Sequence, residues 1–258
     1  MRTAKAISIF AIILLSAVLF AVVGARMKQT ATVVIDGGAA APASATDTAA
    51  SQTNVVRPTA TPQPTQSLPD VDPDSWELLL VNKNNEIKTA PQVAEIGKTG
   101  AYFDSRAVDA LNDFISAAKS AGCTVHINLA YVPQSAQEYY FDSKAREIAG
   151  SDKITESDAD KASRIVSRPG QSDHQTGLAV DITNVYSAPY TNEDIDADTL
   201  AWLIDHCAEY GFIQRYPSGK ENITGYREPY HFRYVGADAA AYIMEHDLCL
   251  EEFLALYK

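Results

Sequence analysis

Cysteine and basic residues are both scarce in this chain of 258 residues. The three cysteines include no Cys-x-x-Cys pair, which excludes a disulfide-dense scaffold and a zinc finger held by thiolates. Only 21 lysines and arginines stand against 33 aspartates and glutamates, so the formal net charge is -12. A nucleic-acid-binding protein needs a basic face, and this balance argues against that class. The hydrophobic fraction of 46% excludes wholesale disorder.

Charge is absent from a run of nineteen residues near the N-terminus, ISIFAIILLSAVLFAVVGA at positions 7–25. Such a run is long enough to cross a bilayer core as a helix. We therefore predict that residues 1–28 are an uncleaved, single-pass anchor in the cell membrane, with the rest of the chain extracellular. A cleaved signal peptide is the alternative, because Val23-Gly24-Ala25 is an acceptable cleavage site.

Large apolar residues are rare in the next segment, residues 29–70, which is rich in Ala, Thr, Ser, Pro and Gln. This composition cannot offset the entropy lost on ordering, so we predict a disordered linker. Residues 1–70 hold five of the 21 basic and three of the 33 acidic residues, which leaves a formal charge of -14 for residues 71–258. That remainder is long enough to bury a core, and we predict one folded domain there.

Short strands and helices mix in residues 71–258 without a regular strand–helix alternation, which favours an α+β fold. Apolar residues at helical spacing predict a helix that follows Asp104 and ends at Gly122. A second helix is predicted from a capping box of Ser135 and Glu138 to about Ala149. Further helices are predicted over 198–210 and from 237 onward, and strands over 76–82, 123–131, 177–183, 212–215 and 231–235.

Two short stretches contain the candidate chemistry: RPGQSDHQTGLAVD at 168–181 and YREPYHFRY at 226–234. His174 precedes a predicted strand, Asp181 lies within it, and His231 opens another strand. Two imidazoles and one carboxylate are a common ligand set for catalytic zinc, which lowers the pKa of its bound water towards neutrality. Glu228, in a Pro-containing turn three residues before His231, could act beside that water as general base.

A structural polar network around Asp181 is the alternative to a metal site. Asp181 interrupts an apolar run, and a buried unpaired carboxylate is costly, so it needs a cation or strong donors. Spacing alone leaves the two interpretations about even. His126, His206 and His246 are more simply core or surface residues, and the three cysteines are expected to be buried free thiols.

The two stretches resemble the paired motifs of the zinc D-alanyl-D-alanine carboxypeptidases of the VanY type, which share a small α+β fold with the Hedgehog domain. Flanking residues between 75 and 245 match as well. The matching motif residues are Ser172, His174, Gly177, Ala179 and Asp181, followed by Glu228 and His231. The resemblance implies a small antiparallel sheet flanked by helices. It also implies Zn2+ held by His174, Asp181 and His231, Glu228 as catalytic base, and hydrolysis of the terminal D-Ala of peptidoglycan stem peptides.

One stretch departs from the pattern of the family. A Ser-x-Tyr-Arg sequence, whose Arg grips the terminal carboxylate of the substrate, is replaced by Leu-Ala-Tyr-Val at 129–132. Val132 thus stands at the position of that Arg, whereas Tyr131 and Gln137 match the family. The resemblance implies substrate-binding roles for Tyr131, Gln137 and Ser172.

A carboxypeptidase needs a cationic or multi-donor clamp for a terminal carboxylate, so the missing Arg leaves several readings open. Another arginine could substitute, and the candidates are Arg146, Arg164, Arg168 and Arg227. Alternatively the substrate end differs. The chain could be an L,D-carboxypeptidase that acts on tetrapeptide stems, an endopeptidase or a weak enzyme. The chain could also be a catalytically silent peptidoglycan-binding domain.

Overall fold

The computed structural model describes residues 67–258. The predicted anchor at 1–28 and most of the predicted linker at 29–70 therefore lie outside the described residues. Within residues 67–258, no helix combines the length and the apolar character needed to span a membrane.

Six strands and seven helices form the described domain, joined by short 3-10 helices. The strands are β1 (Val93–Glu95), β2 (Tyr102–Asp104), β3 (His126–Leu129), β4 (Ala179–Thr183), β5 (Phe212–Tyr216) and β6 (Glu228–Tyr234). The helices are α1 (Val108–Ser120), α2 (Gln134–Ala149), α3 (Glu156–Ala162), α4 (Ala197–His206), α5 (Glu221–Thr224), α6 (Ala237–Glu245) and α7 (Leu250–Ala255). The 3-10 helices are Trp76–Leu78, Asp173–Thr176, Asn192–Asp194 and Cys207–Tyr210.

A four-stranded sheet with strand order β3-β4-β6-β5 lies at the centre, and β1 and β2 form a separate small pair. Every pairing is antiparallel. Side chains alternate between the two faces of a strand, so neighbours in sequence enter different cores. Phe212 packs with α1, whereas the next residue, Ile213, packs with α6 and α7. The domain is therefore an α+β fold with helices on both faces of its main sheet.

The apolar side chains that pack with α1 form one core, which we call the α1 core. The same alternation directs polar side chains away from it. Val180 and Ile182 are buried in that core, so Asp181 between them points to the other face of β4. Phe232 belongs to the α1 core as well, which turns its neighbours His231 and Arg233 to the face that Asp181 occupies. The register pairs Asp181 directly with His231. Packing of the apolar residues thus brings two predicted site residues together.

The helix predicted after Asp104 is confirmed as α1, with its apolar positions Leu111 and Phe114 fully buried. The second predicted helix ends at Ala149 as expected, where Gly150 takes a left-handed conformation at φ 63°. The predicted capping box is wrong, because α2 begins at Gln134 after Pro133 and no side chain caps it.

The predicted strand at 76–82 is also wrong, since Trp76–Leu78 form a 3-10 helix. The carbonyl oxygens of Glu77 and Leu79 accept hydrogen bonds from Nη2 of Arg233, at 3.1 and 2.7 Å, instead of pairing with a strand. Nearby, the hydroxyl of Tyr257 donates to the carbonyl oxygen of Pro69 at 2.7 Å.

Other boundaries shift by a few residues. The helix predicted over 198–210 begins at Ala197, where the side chain of Asp196 caps it, and it tightens into the 3-10 helix Cys207–Tyr210. The sequence predicts a turn at Glu228, but this residue is the first of β6. The cysteines are free thiols as expected, although Cys123 is only half-buried.

Candidate metal centre

Three side chains with metal-ligating atoms converge on one face of the central sheet: His174, Asp181 and His231. Their candidate ligand atoms all lie within 4.8 Å of one another, and all three residues are buried. Nε2 of His174 is 3.3 Å from Oδ2 of Asp181, and Nδ1 of His231 is 2.9 Å from Oδ1 of Asp181. We call these three residues the metal cluster.

His174 reaches the cluster from the 3-10 helix Asp173–Thr176, which ends at Gly177. Gly177 has a left-handed φ of 71°, and a Cβ there would lie 3.1 Å from the Pro91 ring and 3.3 Å from the Asp104 nitrogen. This close approach explains the need for glycine in the motif. Nδ1 of His174 is 2.9 Å from the carbonyl oxygen of Ala130, so the Nδ1 hydrogen is donated there. Nε2 is then free to bind a metal.

His231 is oriented in the same way by Asp173, which the sequence analysis did not single out. Nε2 of His231 lies 3.3 Å from Oδ2 of Asp173 and donates to it, which leaves Nδ1 facing Asp181. A carboxylate behind a ligating histidine fixes its tautomer and strengthens it as a ligand. The only sequence feature that could have pointed to Asp173 is its position between the motif residues Ser172 and His174.

Asp173 is itself held by two arginines that are fully buried, Arg215 and Arg233. Nη1 of Arg233 donates to Oδ1 of Asp173 at 2.5 Å, and Nε of Arg215 lies 3.7 Å from Oδ2. Burial opposes ionisation of Asp173, but the charge of Arg233, the hydrogen bond from His231 and the charge of Arg215 outweigh it and hold its pKa well below the ordinary value. Arg215 also makes a bidentate pair with Glu251, at 2.8 and 2.8 Å. We call Asp173, Arg215, Arg233 and Glu251 the arginine cluster.

The metal cluster fits a cation. Nδ1 of His231 and Oδ1 of Asp181 are buried and have no hydrogen-bond partner among the described residues, which is costly unless something binds them. Although burial lowers the pKa of His231, the charge of the facing Asp181 and the hydrogen bond to Asp173 raise it overall. The surrounding carboxylates therefore favour positive charge at this point. Two imidazole nitrogens and one carboxylate oxygen are a ligand set for catalytic zinc.

Glu228 stands beside the metal cluster. Its Oε2 lies 3.6 Å from Nδ1 of His231, and its side chain is 28% exposed. Burial raises the pKa of Glu228; His231 opposes this effect and Asp181 adds to it. A carboxylate whose pKa lies above the usual range is better matched to accepting and returning a proton near neutral pH.

Comparison with known proteins decides the family of the chain. The family model described as VanY, D-alanyl-D-alanine carboxypeptidase, matches residues 100–237, more than half of the chain. The chain belongs to the VanY family. A D-alanyl-D-alanine carboxypeptidase of Enterococcus faecalis is 36% identical over 185 residues, which cover 71% of this chain and 67% of that relative.

Three solved structures are similar in sequence and fold. The zinc complex of a mutant VanY D,D-pentapeptidase from a VanB-type vancomycin resistance cassette is 33% identical, with a TM-score of 0.60 over 70% of this chain and 99% of that one. VanYB in complex with D-alanine-D-alanine is 33% identical, with a TM-score of 0.62 over 71% and 100%. The LD-carboxypeptidase LdcB is 34% identical, with a TM-score of 0.57 over 68% and 84%. These similarities confirm the α+β fold, zinc as the cofactor and the enzyme class, a zinc carboxypeptidase.

A further residue of this VanY-family site was missed by sequence reasoning. The hydroxyl of Tyr190 donates to Oδ2 of Asp181 at 2.5 Å, and its ring meets the ring of Tyr230 edge-on. Burial raises the pKa of Tyr190 far above the ordinary value, and the charge of Asp181 raises it further, so the phenol stays a donor. Tyr190 lies in a loop between β4 and α4, where no periodic pattern marked it.

A cleft of about 270 Å³ opens above the metal cluster. Of the three residues predicted to bind substrate, Gln137 and Ser172 line this cleft, whereas Tyr131 is half-buried and does not line it. Nε2 of Gln137 donates to the carbonyl oxygen of Ser167 at 2.7 Å, which holds the segment after α3 over the cleft. Val132 is 2% exposed and is not among the lining residues. No lysine or arginine of residues 67–258 lines the cleft, so the clamp missing from the sequence is not restored within it.

Proposed function

We propose that the chain is a zinc-dependent D-alanyl-D-alanine carboxypeptidase that removes the terminal D-Ala from peptidoglycan stem peptides. The observation that carries this proposal is a pair of buried atoms without hydrogen-bond partners, Nδ1 of His231 and Oδ1 of Asp181. Both are atoms that can bind a metal, and they lie at the floor of a cleft beside Glu228. The relative from Enterococcus faecalis bears the name of this activity, and VanYB has been solved with D-alanine-D-alanine.

His174, Asp181 and His231 hold the zinc in this proposal. Zinc bound there supplies a water of lowered pKa and a positive charge for the carbonyl oxygen of the scissile bond. Glu228 takes the proton from the attacking water and returns it to the nitrogen of the departing D-Ala. Its raised pKa suits both halves of that transfer.

The residues behind the ligands keep them in position. Asp173 takes the Nε2 hydrogen of His231, and the carbonyl oxygen of Ala130 takes the Nδ1 hydrogen of His174. Each imidazole therefore offers its other nitrogen to the metal in a fixed ring orientation. Gln137 and Ser172 are proposed to contact the peptide, because both line the cleft.

An L,D-carboxypeptidase acting on tetrapeptide stems is the second candidate function. The loss of the family arginine at Val132 bears equally on both activities, because tetrapeptide and pentapeptide stems both end in a D-Ala carboxylate, so the observation that favours this candidate is a structural similarity. LdcB, whose solved structure is similar to this chain, is an LD-carboxypeptidase.

Cellular location remains a proposal from the sequence alone. We propose that residues 1–28 anchor the chain in the cell membrane and that residues 29–70 hold the catalytic domain outside it. A full-length chain should sediment with membranes, and a chain starting at residue 67 should not. Equal recovery of both in the soluble fraction would end the anchor proposal.

Muropeptides ending in a tetrapeptide or a pentapeptide test the activity, with products read by mass. We expect loss of one D-Ala from the pentapeptide, and loss of that activity when a chelator removes zinc. Glu228→Gln should lower kcat by roughly 10² to 10⁴-fold, the usual contribution of a general base. Its zinc content should equal that of the wild type, because Glu228 is not among the three proposed ligands.

Each alternative predicts a different pattern in the same assay. Release from the tetrapeptide alone would favour the L,D-carboxypeptidase. Binding of both peptides without turnover would favour a silent domain. Activity that survives both chelation and Glu228→Gln would exclude the mechanism.

A further inference from the structure

A second cavity of about 370 Å³ adjoins the cleft, and we call it the side cavity. Ser167, Tyr216 and Tyr226 line both spaces. The hydroxyl of Tyr226 donates to the carbonyl oxygen of Ser163 at 3.0 Å and lies 3.3 Å from Oγ of Ser167. The ring of Tyr216 packs against His231, with centroids 4.7 Å apart. The side cavity thus adjoins the cleft above the metal cluster through shared lining residues.

The side cavity is lined by basic residues, whereas the chain as a whole is acidic. Its lining includes Lys83, Arg164 and Arg168 and contains no aspartate or glutamate, although acidic residues outnumber basic ones by 33 to 21 in the chain. Arg168 is already neutralised, because its Nη2 lies 2.7 Å from Glu156 and 2.8 Å from Asp160. Positive charge concentrated in a concave surface attracts anions.

Lys83 and Arg164 keep their charge available. Within residues 67–258 neither side chain makes an ion pair or a hydrogen bond. An arginine without an internal partner offers its planar fork to a carboxylate, which it can bind through two parallel hydrogen bonds.

The other arginines that could replace the missing clamp are placed elsewhere. Arg146 lies on α2 with surface partners, Asp142 at 4.0 Å and Asp152 at 3.7 Å. Arg227 is exposed and lines neither cavity. Arg164 is therefore the candidate that combines a free guanidinium with a position next to the cleft.

We propose that the side cavity is a carboxylate-binding subsite, in which Arg164, assisted by Lys83, holds a carboxylate of the peptide whose scissile bond lies at the metal cluster. This inference rests on the proposed function, because it takes a carboxylate-bearing peptide as the ligand. The carboxylate has two sources of the same chemistry: the C-terminus of the peptide or an acidic side chain inside it.

The test uses two pentapeptides that end in D-Ala-D-Ala and differ at one internal residue, which bears a carboxylate in one peptide and a carboxamide in the other. Wild type, Arg164→Gln and the control Lys161→Gln are compared. Lys161 is a matched control because it is exposed on α3, pairs with Asp158 at only 3.8 Å, and lines neither cavity. KM and kcat are measured for D-Ala release, and Kd for each peptide is measured by calorimetry.

Arg164→Gln should raise KM and Kd about tenfold, which corresponds to about 1.4 kcal/mol, with kcat changed less than twofold. An increase for both peptides assigns the C-terminal carboxylate to Arg164. An increase for the carboxylate peptide alone assigns the internal one. Unchanged KM and Kd for both peptides would overturn the subsite, and so would an equal increase in Lys161→Gln.

Failure of the proposed function has a separate signature. If the wild type releases D-Ala from neither peptide, the proposed function is wrong, and the Kd values alone decide the subsite. If the wild type is active and Arg164→Gln binds and cleaves as well as the wild type, only the subsite is wrong.

Discussion

The imidazole of His231 touches two buried polar clusters, one with each ring nitrogen. Nδ1 faces the metal cluster, and Nε2 faces the arginine cluster. In the arginine cluster Asp173 and Glu251 are both paired with guanidinium groups, and the one unpaired atom, Nε of Arg215, still lies 3.7 Å from Asp173. In the metal cluster, atoms of His231 and Asp181 face each other without a hydrogen bond.

The two adjacent clusters thus differ in role: the arginine cluster supports the fold, and the metal cluster is proposed to bind the metal. A buried polar network whose charged groups are paired with one another has a fixed geometry, whereas facing polar atoms left unpaired are costly and mark a place where a ligand completes the set. Substitutions in the metal cluster should therefore remove function and spare the fold. Substitutions in the arginine cluster should lower the stability of the fold. Those that disturb Asp173 should lower zinc binding as well, because Asp173 orients His231.

The largest effect is expected for Asp181→Asn, which keeps the shape of the side chain and removes its charge. Loss of a supporting residue behind a ligand weakens metal affinity by about 10 to 100-fold, so loss of a ligand charge should exceed about 100-fold. Competition with a fluorescent chelator measures the zinc affinity. The melting temperature without zinc should stay within a few degrees of the wild type, and a collapse of the fold would contradict the contrast.

Asp173→Asn removes the negative charge that two buried arginines share. Breaking a buried ion pair from one side typically costs about 3–5 kcal/mol, and we expect a loss of that size in the free energy of unfolding. Urea denaturation of the metal-free protein measures it. Glu156→Gln, which removes a surface partner of Arg168, should cost no more than about 1 kcal/mol in the same assay.

Glu251→Gln tests the outer side of the arginine cluster and its dependence on pH. Burial opposes ionisation of Glu251, but its bonds to Arg215 lower its pKa below the ordinary value. A lowered pKa in the folded state means stability that is present above the unfolded pKa and lost as pH falls through the folded one. We expect a loss of about 1.5–3 kcal/mol at neutral pH.

The difference in stability between wild type and Glu251→Gln should shrink as the pH falls below the ordinary carboxyl range, because the wild type then loses the interaction as well. Denaturation curves at neutral and acidic pH measure this difference. A difference that does not vary with pH would contradict the charge argument.

The smallest expected effect belongs to Tyr190→Phe, which removes one hydrogen bond to Asp181. Zinc affinity should fall about tenfold, at the low end for a group behind a metal ligand. Tyr186→Phe is the matched control, because Tyr186 lies on the same loop and is 80% exposed. Equal zinc affinity in both variants would show that the Tyr190 hydroxyl does not position Asp181.

All three residues of the metal cluster could be named from the sequence: their spacing leaves a metal site and a structural polar network about even, and the resemblance of the two motifs to the VanY type favours the metal site. The strand register then pairs Asp181 with His231, a result of apolar packing that the motifs do not encode directly. Tyr190 could not be predicted, since its contact depends on the path of an irregular loop.

The wrong prediction of a strand at 76–82 has its origin in side-chain hydrogen bonds that span a long distance in sequence. Residues 76–82 look like a strand locally, but the buried guanidinium of Arg233 takes the carbonyl oxygens that a neighbouring strand would have used. Full burial of Arg233 was itself unexpected, because arginines are rarely buried unless paired. Local patterns contain no information about such partners.

The hydrogen bond from Tyr257 to Pro69 brings the first described residues beside the last helix of the domain. Where the two ends of a folded unit lie close together, the order of its segments can be rearranged without disturbing the core. A short Gly/Ser peptide could therefore join the two ends, with new termini opened at the exposed turn 151–153, between α2 and α3. Such a circular permutant would present the cleft from a different point of attachment, which makes the domain a practical module for fusion to a carrier.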